Sequence, residues 1–212
     1  MEVFRFVFSP IEVNTYILAD ESGDCIIIDC GCYDKSEFRI LTDFIDEKNL
    51  HPVLLLDTHC HLDHIFGNGM LLKKYGLGAY FHKDDEPNRK DSIMHASLFG
   101  LQMEMPPEPA GYIADGQRID SGSISLKVLH VPGHAAGSLA FYSEKDGCVF
   151  TGDALFAGTI GRTDLPGGNF ETLINSIRTK LFVLPPATIV YSGHGEETTI
   201  GTEIRTNPYF NK

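Results

Sequence analysis

The early part of the chain carries a pattern of β structure. Residues 4–8, 15–19 and 25–29 are runs of β-branched and aromatic side chains, separated by Ser-Pro, Asn and Ser-Gly-Asp turn chemistry. The period then changes. In SEFRILTDFIDEKN, Phe38, Leu41, Phe44 and Ile45 recur at i, i+3, i+6 and i+7, the apolar face of an amphipathic helix. VLLL (53–56) reads as a short buried strand, GNGMLLKKYG as a helix stopped by glycine, and AYF as another strand.

A second set repeats the scheme. SISLKVLHV (123–131), SLAFYS (138–143) and CVFTG (148–152) are strands, and NFETLINSIRTKLF (169–182) is a helix with Asn169 as N-cap. TIVYSGH is a last strand leading into a polar turn. Residues 83–111 are Met- and Pro-rich and helical in places, and are expected to form part of a substrate wall. Strands, helix, strand and helix, read twice, predict two similar halves, each a sheet covered by helices. The fold class is therefore layered α/β, and no linker divides it, so one domain over 1–212 is expected.

Composition removes several functions. A formal charge of −12 repels phosphate backbones, and no basic stripe offsets it, so nucleic acid is excluded as a partner. No apolar run reaches the roughly 18 residues of a membrane span, and the N-terminus lacks a secretory pattern. Five scattered cysteines do not form a disulfide framework, which points to a reducing cytoplasm with Cys30 and Cys32 as thiols.

The chemistry lies where apolar runs end. Directly after VLLL comes DTHCHLDH, placing His59, His61, Asp63 and His64 within six positions. His134 in VPGHAAGS, Asp153 in FTGDALF and His194 in YSGHG also follow apolar strands and stand beside glycine. Strand-end turns carry side chains to one rim of a layered α/β fold. Seven ligand-type residues exceed the four of one tetrahedral zinc, but suit two ions sharing a carboxylate. A mixture of imidazole and carboxylate without thiolate fits zinc first, with iron or manganese as alternatives. Two ions about 3.5–4 Å apart activate a water between them.

Other residues have weaker claims. Cys60 is expected to point away from its ligand neighbours and act as a small hydrophobe. Asp29 and Asp57, each ending a strand, are candidates for orienting imidazole N–H groups, with turn capping as the alternative. Arg162, in GRTD, is a candidate for anchoring a substrate carboxylate, and the reading favoured here is an internal bond to Asp164. His51, His82, His95 and His130 lack motif context and are read as ordinary surface or core histidines.

HxHxDH at 59–64, with His134, Asp153 and His194 in their glycine-flanked turns, resembles the metallo-β-lactamase superfamily. Within it, THCHLDH, VPGHAAGS, FTGDALFAGTIGRTDLPGG and TIGTEIRTNPYF are similar to short glyoxalase II-like hydrolases, over nearly the full length. The resemblance implies an αββα sandwich. It places His59, His61 and His134 on one metal, Asp63, His64 and His194 on the other, and Asp153 between them. It implies hydrolysis of a small-molecule thioester or ester, such as an S-acyl-glutathione, by a metal-bridging hydroxide that Asp63 also helps to orient. Longer glyoxalase II enzymes add a C-terminal helical region that contacts the thiol cofactor. This chain ends at Lys212 without one, so glutathione is not required by the pattern. Persulfide oxidation by a single iron, lactonase-type hydrolysis and metal binding without catalysis remain open alternatives, as does the oligomeric state.

Overall fold

The computed structural model describes residues 1–211. The first sheet holds β1 (Glu2–Phe8), β2 (Val13–Ala19), β3 (Asp24–Ile28), β4 (His51–Leu56), β5 (Ala79–Phe81) and β6 (Gly111–Tyr112), in that spatial order. β1 to β3 pair antiparallel, and β3 to β6 pair parallel. Parallel pairing needs crossover segments. Helix α1 (Lys35–Glu47) makes the first crossover, and α2 (Leu62–Ile65) with α3 (Asn68–Tyr75) makes the second. The third contains α4 (Glu86–Leu98).

The second sheet is built from β7 (Arg118–Ser121), β8 (Ile124–His130), β9 (Leu139–Ser143) and β10 (Cys148–Gly152). After a small hairpin, β11 (Leu155–Phe156) and β12 (Thr159–Ile160), the chain crosses over through α5 (Phe170–Ser176) and a wider turn at Ile177–Leu181. It returns as β13 (Ile189–Ser192), parallel to β10, then β14 (Thr198–Thr199) and α6 (Ile200–Thr206). The spatial order is β14-β13-β10-β9-β8-β7.

Strand alternation sorts the side chains into layers. Ile17, Ile27 and Leu55 face Leu41, Ile45 and Leu71 of the first helical layer. Leu18, Ile26, Ile28 and Leu56 face Leu126, Val128, Phe141 and Phe150 across the centre of the sandwich. Val149 and Val190 face Leu173, Ile177 and Leu181 in the outer layer of the second sheet. The architecture is the four-layer αββα arrangement that the sequence implies.

The helix at α1 begins where expected, because the Asp34 carboxylate accepts the Ser36 and Glu37 N–H groups at 2.8 and 3.0 Å. Helix α4 lies in the segment that the sequence shows only as helical in places. Its buried face is mostly polar: Asn88, Arg89 and Ser92 point inward beside Ala96 alone, so no apolar period announces it. Arg89 is the organising residue there. It donates to the Glu86 and Glu108 carboxylates and to the carbonyls of Pro106 and Pro107 at 3.0 and 3.3 Å, tying the irregular segment after α4 to the helix. Among the described residues no helix is long and apolar enough to cross a membrane.

Candidate metal centre

All seven candidate residues meet where strands of the two sheets end. The 57–64 turn follows β4, the 131–138 turn follows β8, Asp153 follows β10 and His194 follows β13. The sheets are joined here by polar bonds. The Tyr16 hydroxyl donates to Ser192 O at 2.7 Å, and Asn14 donates to Gly193 O from its backbone and to Ser192 O from its amide. Gly152 has φ of +50°, and a Cβ there would lie 2.4 Å from Thr58 Oγ1. Only glycine lets the end of β10 close so tightly on the histidine-bearing turn.

Two sets of donor atoms result. His59 Nε2, His61 Nδ1 and His134 Nε2 form a triangle with sides of 3.0, 2.8 and 3.2 Å. In the second set, Asp63 Oδ2 lies 3.1 Å from His194 Nε2 and 3.7 Å from His64 Nε2. Asp153 faces both, with Oδ2 3.5 Å from His134 Nε2 and Oδ1 3.3 Å from His64 Nε2. His59, His61, His64 and Asp63 are all buried.

The far side of each ring fixes which nitrogen keeps its lone pair. His134 Nδ1 donates to the Arg162 carbonyl at 2.8 Å, and His194 Nδ1 donates to the Glu12 carbonyl at 3.0 Å. His64 Nδ1 donates to Asp29 Oδ2 at 2.9 Å. Asp29 also accepts the Thr58 hydroxyl at 2.7 Å, which leaves that oxygen to accept from His59 Nδ1 at 3.1 Å. In the neutral rings of His59, His64, His134 and His194, Nε2 is therefore an unprotonated donor aimed at the centre.

Such convergence is costly without a cation. In the triangle of His59, His61 and His134, only His61 has a proton left to offer, so at least two lone pairs meet. His64 Nε2 and Asp153 Oδ1 are buried, 3.3 Å apart and without a hydrogen-bond partner, so a positive charge, a proton or a metal ion, belongs between them. A divalent ion in each set would satisfy every one of these atoms. The donor chemistry, imidazole and carboxylate without thiolate, fits zinc, iron or manganese.

The electrostatics divide the two sets. Burial, reinforced by the neighbouring rings, holds His59 well below the ordinary imidazole range and His61 down to about 3. Burial also opposes charge on His64 and His194, but the carboxylates around them outweigh it and raise both. Asp63 and Asp153 are held low despite burial, by His64 and the other imidazoles. The second set, where two carboxylates face the imidazoles, thus favours positive charge, whereas burial disfavours it on His59 and His61 of the first.

The lesser expectations divide. Asp29 Oδ2 lies 2.9 Å from His64 Nδ1, the contact that orienting an imidazole N–H requires. Asp57 does not orient a ligand: its Oδ2 accepts the Asn68 amide at 2.8 Å, and its Oδ1 has no partner among the described residues. It stands on the far side of Thr58, whose hydroxyl takes the orienting role. The Arg162 guanidinium is engaged in two bonds of 2.8 Å with Asp164, the internal pairing, and contributes to the centre through its carbonyl. Cys60 is buried in the first apolar cluster, in keeping with a small hydrophobe. His82 and His130 stack at 4.1 Å with 12° between their planes and, with Asp84, bring donor atoms within 4.8 Å of one another, although His130 Nε2 is within hydrogen-bond distance of the Ala136 carbonyl. Asp85 is the residue that sequence reasoning missed. Its buried carboxylate accepts Cys60 N–H, Gly137 N–H at 3.1 Å and the Asn88 amide at 3.0 Å, clamping the two turns that carry His59, His61 and His134. In the sequence it reads as a helix-start aspartate in KDDEP.

Comparison with known proteins agrees with this geometry. The model of the metallo-beta-lactamase superfamily matches residues 9–194. The chain is 38% identical over 208 residues to the Bacillus subtilis protein named "Probable metallo-hydrolase YqgX", covering 98% of this chain and 96% of that one. It is 37% identical over 215 residues to the Haemophilus influenzae hydroxyacylglutathione hydrolase GloC, covering 96% and 95%. Among solved structures, the BLEG-1 B3 metallo-beta-lactamase superposes with a TM-score of 0.92 at 32% identity over the whole of both chains. TTHA1623 in a di-iron-bound form superposes at 0.88, with 36% identity, over 97% of this chain and 99% of that one. With its two histidine- and aspartate-lined donor sets at the rim of an αββα sandwich, the chain belongs to the metallo-beta-lactamase superfamily.

Proposed function

We propose that this protein is a binuclear metallohydrolase that cleaves small-molecule thioesters. The observation that carries the reading is Asp153, whose carboxylate lies between the two donor sets, with Oδ2 3.5 Å from His134 Nε2 and 3.6 Å from His194 Nε2 and Oδ1 3.3 Å from His64 Nε2. Bound ions would supply an ionised water nucleophile and positive charge for the oxyanion that develops at the attacked carbonyl. The chain's own residues do the rest. His59, His61 and His134 would hold one ion, Asp63, His64 and His194 the other, and Asp153 would bridge. Asp29, Thr58 and the Glu12 and Arg162 carbonyls keep the rings in the tautomer that presents Nε2.

Thioester specificity is supported by two arguments. GloC, similar over nearly the whole length, is a hydroxyacylglutathione hydrolase. The second is the leaving group. Asp63 and Asp153 are held as carboxylates among imidazoles, so neither is a proton donor. A thiolate, whose conjugate acid has a pKa near about 8.5, departs without one far more readily than an alkoxide does.

The test is metal analysis of the purified protein alongside a substrate panel of S-lactoylglutathione, a simple acyl thioester, a lactone, a β-lactam and a persulfide with oxygen. Two metals per chain with thioester turnover above the rest is the expected result. A single iron with oxygen uptake on the persulfide would overturn both parts. Turnover of the β-lactam or lactone alone would overturn the substrate, and metal without turnover would overturn the activity.

A further inference from the structure

Outside the metal centre a cleft of about 900 Å³ opens between the start of α1, the helices α2 and α3, and the segment around residues 102–106. Its size lies within the roughly 300–1,000 Å³ of small-molecule sites. The floor is apolar, with Phe38, Phe66, Met70, Met103 and Met105. Three of the chain's five methionines therefore line one cleft. Methionine is the side chain that adapts most easily to apolar bodies of varied shape.

The walls are braced. The Tyr33 hydroxyl accepts Gln102 N–H at 3.2 Å, and its ring meets Phe66 edge-to-face at 5.0 Å. Arg89 anchors the carbonyls of Pro106 and Pro107, just beyond Met105. A segment without regular structure is thus pinned at both ends of its contribution to the cleft.

The rim gathers more cationic side chains than carboxylates, unlike the molecule as a whole. In a chain of net charge −12, the lining includes Lys35, Lys73 and Lys74. Lys35 and Lys73 form no ion pair among the described residues, and Lys74 has only Asp46, at 3.7 Å. Of the two acids on the lining, Asp34 is committed to capping α1 and Glu104 is solvent-exposed. An apolar floor under a cationic rim is complementary to an apolar body that ends in an anion.

We propose that this cleft is a binding site for an amphipathic carboxylate, an aliphatic chain lying on the methionines with its acid group held by Lys35 and Lys73. The site is separate in its residues from the seven that face the metal centre, and does not depend on which substrate is hydrolysed there. The probe is sodium dodecanoate below its micelle concentration, with dodecanol and dodecyltrimethylammonium as uncharged and cationic controls. Calorimetry on the metal-loaded protein should give saturable one-to-one binding of dodecanoate. With methyl-labelled methionine, the Met70, Met103 and Met105 signals should shift while Met94 stays in place. Reversing the rim with Lys35→Glu and Lys73→Glu should weaken dodecanoate about tenfold or more, as expected for two partly exposed ion pairs turned repulsive, and leave dodecanol unchanged. An unaltered melting temperature and metal content in that variant would show that the fold is kept. Absence of saturable binding, shifts centred on Met94, equal affinity for the cationic control, or an unweakened variant would each overturn the proposal.

Discussion

Asp29 Oδ2 accepts the Nδ1 proton of His64 at 2.9 Å, with both side chains buried. The same carboxylate holds the Thr58 N–H and hydroxyl at 2.7 Å each, so one group orders the far sides of His64 and, through Thr58, His59. Asp29 has φ of +54°, a conformation that asparagine tolerates. Asp29→Asn therefore keeps the backbone but weakens the orientation of both rings. Metal affinity should fall about 10–100-fold, read by competition with a chelating dye. Unchanged affinity would remove Asp29 from the site's support.

Asp153 and Gly193 form a second pair. A Cβ on Gly193 would lie 2.1 Å from Asp153 Oδ1 and 2.8 Å from His64 Cε1. Gly193→Ala must push the Asp153 carboxylate aside without removing any of the seven candidate residues. Turnover should drop by at least about 10²-fold, since displacements on the order of 1 Å cost that much. Metal stoichiometry should drop with it, as in Asp153→Ala, whereas His95→Ala should leave both intact. Full occupancy and rate in the Gly193 and Asp153 variants would contradict the two-ion arrangement.

Asp85 supports the site from behind. Asp85→Ala strands the Cys60 and Gly137 N–H groups, and chemical denaturation should register a loss of about 2–4 kcal/mol. Asp85→Asn restores one acceptor oxygen and should recover part of that loss. If the alanine variant unfolds at the same denaturant concentration as the parent, the clamp is energetically idle.

Stability should depend on pH through Glu86. Its hydrogen bonds from Arg89, whose side chain is buried, hold its carboxyl below the usual glutamate range. A depressed folded-state value contributes stability above the unfolded-state pKa, near about 4.5, and loses it as pH falls through the folded-state value. Glu86→Gln should cost about 1–3 kcal/mol near neutrality. The gap between variant and parent should narrow as pH drops below that range. A gap that stays constant down to pH about 2 would show that the pair is not responsible.

The legibility of this molecule in its sequence follows from what each element buries. α1, β4 and β8 to β10 bury apolar faces, and their periods are plain. The seven candidate ligands follow such runs directly and stand beside glycines, so their gathering at one rim could be read in advance. Helix α4 buries asparagine, arginine and serine, and a polar inward face looks like a solvent face. Asp85 was missed for a related reason. An aspartate at the start of a helix ordinarily caps it, but this side chain turns to Cys60 and Gly137, the latter fifty-two residues further along. Asp57 and Asp29 look alike as strand-end aspartates, and only the packing of Thr58 decides which of them orients an imidazole.

The donor atoms come from both halves of the sandwich: His59, His61, Asp63 and His64 after strands of one sheet, His134, Asp153 and His194 after strands of the other. An ion held by His59, His61 and His134 is therefore a rivet through two plates as well as a reagent. Its binding free energy adds to the cohesion of the sandwich in proportion to the logarithm of the free metal concentration. Resistance to heat and proteolysis would then be a property of the medium as much as of the chain.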